Sequence, residues 1–195
     1  MGKIFCLMGK SASGKDTVFK RLLERNNICL TTVVPGTTRP IREGEQNGVE
    51  YFFYTHEEFE QLEKSGKVIE YRQYNTVHGI WTYFTADDGQ IHLSEKNYIL
   101  IGTLEAYLAL RTHFGEENVV PLYIDLDDGE RLQRALSRER NENVPKYAEM
   151  CRRFLADQED FAPEKLANAG EIKTFYNEYV ENTVVEIETY MMTMI

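Results

Sequence analysis

Gly9-Lys10-Ser11-Ala12-Ser13-Gly14-Lys15-Asp16-Thr17 follows directly on the apolar run Ile4-Phe5-Cys6-Leu7-Met8. A short apolar run, a glycine-rich turn and then a helical pattern form the layout of a phosphate-binding loop. Glycine tolerates the backbone angles that turn successive N–H groups inward around phosphate oxygens. The helix that begins near Lys15 directs the positive end of its dipole at the same anion. Lys15 is placed to reach the outer phosphates of a nucleoside triphosphate. Gly9, Ser11, Ala12, Ser13, Gly14, Lys15, Asp16 and Thr17 are therefore candidate contacts to ATP or GTP. A turn that joins strand to helix and binds nothing is the plain alternative. The glycine spacing, the lysine and the flanking elements all argue against it.

The motif expects a hydroxyl after the lysine, to ligate Mg²⁺. Asp16 takes that place here and Thr17 follows. Two arrangements are open: Asp16 approaches the metal through a water, or Thr17 supplies the hydroxyl. Without a metal, Asp16 would repel the triphosphate.

At 195 residues the chain is expected to form one domain, with room for inserted subdomains. A hydrophobic content of 42% supports a full core. The 22 basic and 32 acidic residues give a net charge of −10, which argues against a nucleic-acid or membrane-surface binder. Cys6, Cys29 and Cys151 have no metal-type spacing and suggest no disulfide framework. The first apolar run is short and leads straight into the loop, so no signal peptide is expected, and no stretch is long enough to span a bilayer. A reducing cytoplasm fits this composition.

Hydrophobic periodicity predicts a strand at 3–8, a helix at 15–25 and a strand at 30–34. Residues 35–95 are richer in turns, aromatics and short alternating stretches, with a helix near 56–65 and strands near 68–73 and 80–85, and they read as a small mixed insertion. Strand and helix then alternate: strand 98–101, helix 104–114 closed by Gly115, strand 119–124, helix 128–140, helix 146–166, strand 172–176 and a helix from about 180. Such alternation predicts an α/β fold with a parallel sheet covered by helices on both faces.

A second motif stands at Thr37-Thr38-Arg39-Pro40-Ile41-Arg42-Glu43-Gly44-Glu45 and Gly48-Val49-Glu50-Tyr51. Two arginines three apart, flanked by hydroxyls and a tyrosine, suit a small phosphate, because guanidinium forks clamp its oxygens and a phenol adds a hydrogen bond. An ordinary charged turn is the alternative for this motif taken alone. Downstream, Arg131, Arg134 and Arg138 fall on one helical face. A solvated basic face paired with Glu130 and Glu142 is the alternative there.

The loop together with the pattern T-T-R-x-x-R-x-G-E-x-x-G-x-x-Y resembles the guanylate kinase family, and every fixed position of that pattern is present. The resemblance covers nearly the whole chain and is strongest at 9–17, 37–51 and 131–138. It implies a P-loop NTPase-type core (about 1–34 and 96–195), a nucleoside-monophosphate-binding insertion (about 35–95) and a helical lid (about 134–153). It also implies transfer of a phosphoryl group from ATP, with Mg²⁺, to GMP. By the resemblance, Arg39, Arg42, Glu45 and Tyr51 form the pocket for the GMP phosphate. Glu70 reads the guanine edge, whose N1–H and N2–H₂ are adjacent donors; an exposed strand residue is the alternative for it. Tyr83 and Thr85 align with the end of the family's G-N-Y-Y-G-[ST] stretch. Arg134, Arg138 and Arg153 match arginines that cross from the lid to the phosphates, although Arg152 is adjacent to the last. Asn177 falls near the adenine of ATP. A small-molecule enzyme that is a monomer or a homodimer follows.

Four positions depart from the family pattern. Asp16 replaces a hydroxyl or glycine, and Pro35 stands where a serine is common. The 74–85 stretch is longer, with Phe84 in place of a glycine. Ile101 and Thr103 occupy the positions of a D-x-D pair that helps order metal and bind guanine. The departures leave room for a related kinase acting on another (deoxy)nucleoside monophosphate. A non-catalytic binding module is a third reading, opposed by the intact loop and Lys15. Trp81 suits either the core or a wall over the base, and His78 and His92 have no evident partner in the sequence.

Overall fold

The computed structural model describes residues 1–42, 44–76 and 79–195. Glu43 of the arginine motif and Val77 and His78 of the 74–85 stretch lie outside the described residues. Five strands form a parallel sheet: β1 (Ile4–Gly9), β2 (Leu30–Thr32), β7 (Asn97–Ile101), β8 (Val119–Asp125) and β9 (Lys173–Tyr176), in the order β2-β7-β1-β8-β9. β1 is central and buried along its whole length. Its period-two pleat divides the side chains between two cores. Ile4, Cys6 and Met8 pack with Leu104, Tyr107 and Leu110 of helix α3 (Leu104–Phe114). Phe5 and Leu7 pack with Val18 and Leu22 of α1 (Lys15–Arg25) and with Val184, Ile187 and Met191 of α7 (Val180–Met194). The uninterrupted apolar run of β1 thus records burial on both faces.

Between β2 and β7 the chain builds a second sheet of order β4-β3-β6-β5, from β3 (Gly36–Thr37), β4 (Phe52–Phe53), β5 (Val68–Thr76) and β6 (Gly79–Ala86). Helix α2 (His56–Lys64) begins with a capping box of Thr55 and Glu58 and packs Phe59 against Phe84 of β6. β5 and β6 pair from Val68↔Ala86 to Thr76↔Gly79, which makes the hairpin longer at both ends than its periodicity predicts.

After β8 come α4 (Asp128–Arg140), α5 (Tyr147–Asp160) and α6 (Pro163–Asn168). The single helix expected over 146–166 is therefore two. Pro163 lacks an N–H and its ring would strike the carbonyl one turn back, so it ends one helix and sits at the start of the next. Phe161, between them, turns into the core against Tyr123. Among the described residues, no helix is long and apolar enough to cross a membrane.

Candidate active site

The loop between β1 and α1 emerges at the carboxyl end of the central strand, beside the point where the chain order in the sheet reverses. Open parallel sheets bind ligands there. Ala12 (φ 61°) and Gly14 (φ 88°) both lie in the left-handed region. A Cβ on Gly14 would come within 2.3 Å of Asn177 Nδ2, so glycine is demanded by space as well as by backbone angle. Lys15 opens α1 with its side chain largely sequestered and its Nζ 3.8 Å from Asp16. Asp16 and Thr17 are exposed in the first helical turn, and Asp16 lines the cleft described below.

The loop is held from outside. The side-chain amide of Asn177 donates to the Ser13 carbonyl at 2.8 Å, while its backbone N–H donates to Asp125. Asp157, on α5, accepts the backbone N–H of Ser11 at 2.8 Å. Arg131, 1% exposed, donates from Nε to the Ser11 carbonyl at 3.0 Å and from Nη2 to Asp157 at 3.0 Å. Lys10 donates to Gln158 at 2.7 Å. Asp157 and Gln158 carry no signal in the sequence, and Arg131, expected on a basic helical face, is instead buried against the loop. Asp157 lies 146 residues from Ser11, and no local pattern links positions so far apart.

The second motif forms the other end of the site. The hydroxyl of Thr37 donates to the Thr82 carbonyl and that of Thr38 accepts the Thr82 N–H, each at 2.9 Å, which pins the segment to β6. Arg39 is then turned inward, 4% exposed, with its guanidinium over the rings of Tyr51 and Phe53 at 5.1 and 5.4 Å. It donates to both oxygens of Glu45, at 2.8 and 2.5 Å, and to the Pro40 carbonyl at 2.9 Å. The Arg39 bond and the Arg42 backbone N–H hold the Glu45 carboxyl down at about 2. Burial pushes the Tyr51 phenol up, so it keeps its proton and can donate. The Arg42 side chain is exposed.

Facing these residues is one face of the β5–β6 hairpin. Its cross-strand pairs Glu70↔Thr85, Arg72↔Tyr83 and Tyr74↔Trp81 all line the cleft. A bulge between Val68 and Glu70 shifts the register and sets which face Glu70 takes. The Thr85 hydroxyl donates to Glu70 at 2.8 Å, and Arg72 Nε stands 3.6 Å from the other carboxylate oxygen. Tyr83 packs edge-on between Tyr51 and Tyr74, at 5.6 and 5.7 Å. Arg72 and Tyr74 are additions to the residues expected from sequence, and Trp81, open in the sequence between core and a wall over the base, lines the cleft. Thr103 accepts the Ala106 N–H at 3.3 Å and so caps α3, while Ile101 and Thr103 both line the cleft.

Of the arginines expected to converge, Arg134 lies by the loop, donating to the Asn177 carbonyl at 3.4 Å. Arg138 and Arg153 line one small cavity together with Ser11 and Lys146. Arg153 and Arg152 both pair with Glu149, at 2.9 and 2.7 Å, and hold its carboxyl down at about 2. Arg152 and Arg153 also border the main cleft, a space of about 1380 Å³ that runs from Ser11 and Asp16 to Tyr51, Glu70 and Thr85.

Four buried side-chain atoms have no hydrogen-bond partner among the described residues: Ser13 Oγ and Asn177 Oδ1 at the loop, Arg39 Nε and Arg72 Nε at the opposite end. Native proteins rarely leave such atoms unpaired; of the four residues Arg72 lines the cleft, while Ser13 and Asn177 are wholly buried at the loop and Arg39 is buried in the arginine motif.

The amino-acid sequence and fold have clear relatives. A guanylate kinase of Oceanobacillus iheyensis is 48% identical over 79 residues, which span 40% of this chain and only 38% of that protein. A guanylate kinase of Neisseria gonorrhoeae is 33% identical over 156 residues, covering 72% of this chain and 74% of that protein. The crystal structure of a guanylate kinase from Anaplasma phagocytophilum superposes with a TM-score of 0.62 over 98% of this chain and 85% of that one; at 21% identity it speaks for the fold. The sequence model described as guanylate kinase matches residues 1–168, a span that contains the loop, the arginine motif, the hairpin and Arg131 to Arg153. With both motifs facing one cleft on this fold, the chain belongs to the guanylate kinase family.

Proposed function

We propose that the protein transfers the γ-phosphoryl group of ATP to GMP, giving ADP and GDP. The Arg39–Glu45 pair carries this reading: Glu45 takes both terminal nitrogens of the guanidinium and leaves the buried Nε unpaired, a donor suited to an anion. An acceptor phosphate would take that N–H, while the loop amides hold the phosphates of the donor nucleotide. In this reading residues 1–34 and 96–195 are the core, 35–95 bind the monophosphate and 134–153 act as a lid.

Lys15 and the loop amides hold the outer phosphates of ATP, and Asn177 supports the loop from below. Arg39 presents its Nε edge to the acceptor phosphate while Glu45 fixes the rest of the guanidinium. The protonated Tyr51 adds a hydrogen bond, and Arg42 closes from the solvent side. The acceptor is already an anion, so no side chain needs to act as nucleophile; positioning and charge neutralisation carry the rate. Arg134, Arg138 and Arg153 offset the charge that develops on the transferred group, and their closure excludes water. Among the described residues no group of three or more metal-type side chains is preassembled. This fits a Mg²⁺ that arrives on the triphosphate, held by the protein through Asp16 or Thr17. When bound, Mg²⁺ neutralises and orients the β- and γ-phosphates. The nucleotide chemistry and reducing-compartment composition are consistent with a cytoplasmic protein.

The test is ADP release with ATP and Mg²⁺ and, separately, GMP, dGMP, AMP, UMP and CMP. Turnover with guanine monophosphates alone is expected. Turnover only with another base would move the specificity and keep the mechanism, and silence with all five would overturn the proposal.

A further inference from the structure

Arg72 stands in the middle of the hairpin face, between the Glu70–Thr85 pair and the Tyr74–Trp81 pair. It shares a strand face with Glu70, and both line the cleft. Its Nε is buried and makes no hydrogen bond, with the nearest Glu70 oxygen 3.6 Å away. That separation brings opposite charges together but exceeds hydrogen-bond distance, so the N–H remains available. Resting on the GMP reading above, we propose that Arg72 donates to the O6 carbonyl of the acceptor purine. The base is then read by a Glu70–Arg72 pair in place of two carboxylates.

Guanine presents N2–H₂ and N1–H donors and then the O6 acceptor along one edge. Its complement is two acceptors followed by a donor. Glu70 supplies the acceptors. Thr85 cannot supply the donor, because a hydroxyl has one proton and Thr85 gives it to Glu70 at 2.8 Å. Thr103 spends only a lone pair on capping α3 and keeps its O–H, but it lies between β7 and α3, off the hairpin face that carries Glu70. Arg72 has a free N–H on the other side of the same carboxylate, which is where O6 follows N1. An arginine on O6 of guanine is a strong and common specific contact in base recognition. Adenine places an amino donor at that position and an acceptor at N1, so the same pair repels it twice.

The experiment compares GMP with 6-thio-GMP, which keeps N1–H and N2–H₂ and replaces O6 by a weakly accepting sulfur. Binding to the full chain is measured by calorimetry at mildly acidic pH for wild type, Arg72→Met and Arg72→Gln, so the readout does not depend on turnover. Wild type is expected to bind GMP roughly tenfold more tightly than 6-thio-GMP. Arg72→Met should bring the two within about twofold by weakening GMP alone, and Arg72→Gln, which retains a donor, should restore part of the difference. Equal loss of both ligands, or an unchanged ratio in Arg72→Met, overturns the assignment. Discrimination that follows Arg72 without phosphoryl transfer would sink the activity and keep this inference. Transfer to GMP with no discrimination in wild type would do the reverse.

Discussion

Both terminal nitrogens of Arg39 donate to the carboxylate of Glu45, at 2.8 and 2.5 Å, while Nε stays buried without a partner. Glu45 therefore acts as the fixture that holds the guanidinium by its terminal nitrogens and leaves the Nε edge unpaired. Arg39→Ala should weaken GMP binding by roughly 10- to 100-fold, the scale of a lost charge-assisted pair. ATP binding should change by less than about threefold, since Arg39 lies at the far end of the cleft from the loop. Calorimetric titration with each nucleotide checks this, and equal losses would remove Arg39 from the acceptor pocket.

The same pair has a pH signature. The Glu45 carboxyl is depressed from 4.5 to about 2 by its bonds to Arg39 and the Arg42 N–H. A depressed carboxyl contributes stability that is present above its unfolded value and lost as pH falls through its folded one. The contribution of Glu45 should therefore decline between about pH 4.5 and about 2. Carbon-13 NMR of the Glu45 carboxyl should show it still ionised at pH 4. Glu45→Gln should remove that part of the acid sensitivity; a midpoint near 4.5 in wild type would contradict the pairing.

Arg131 is expected to matter for folding and for the loop together. It is buried against Asp157 and Asp128 and also donates to the Ser11 carbonyl. Arg131→Met leaves Asp157 without its cation and should cost about 3–5 kcal/mol in urea unfolding, the usual penalty for breaking a buried ion pair. A loss below about 1 kcal/mol would show Arg131 to behave as a surface arginine.

Gly14→Ala combines two penalties. The left-handed backbone at φ 88° costs roughly 1–2 kcal/mol for an L side chain. The new Cβ also meets Asn177 Nδ2 at 2.3 Å, so the brace on Ser13 must shift. ATP affinity should fall by at least about tenfold while GMP affinity holds, and Asn177→Ala should give a smaller loss in the same direction. ATP affinity equal to wild type in Gly14→Ala would show that the loop does not depend on that contact.

How much of this was legible in the residues depends on range. The loop, α1, α3 and α4 could be read from local signals: glycines at angles only they accept readily, apolar residues at helical spacing, and a two-faced apolar strand before the loop. The boundary at Pro163 is equally local, because the ring chemistry of proline divides the helix expected over 146–166. The arginine motif was visible as a pattern, but the sequence alone does not say that Glu45 grips one edge of Arg39 and leaves the other.

Tertiary structure decided what depends on contacts between distant segments. Asp157 reaches Ser11 across 146 residues, and Asn177 reaches Ser13 across 164. Neither pairing has a sequence period or propensity to announce it, because each exists only once two packed layers bring the segments together. The hairpin face is a similar case. Period-two alternation placed Glu70 and Arg72 on the same side of a strand, but the bulge after Val68 and the pairing with β6 set that side toward the cleft. The residues by themselves determined an α/β core that opens with the layout of a phosphate-binding loop. Only folding decided which buried polar atoms were left unpaired, since a polar atom becomes an unmet demand when its surroundings close around it.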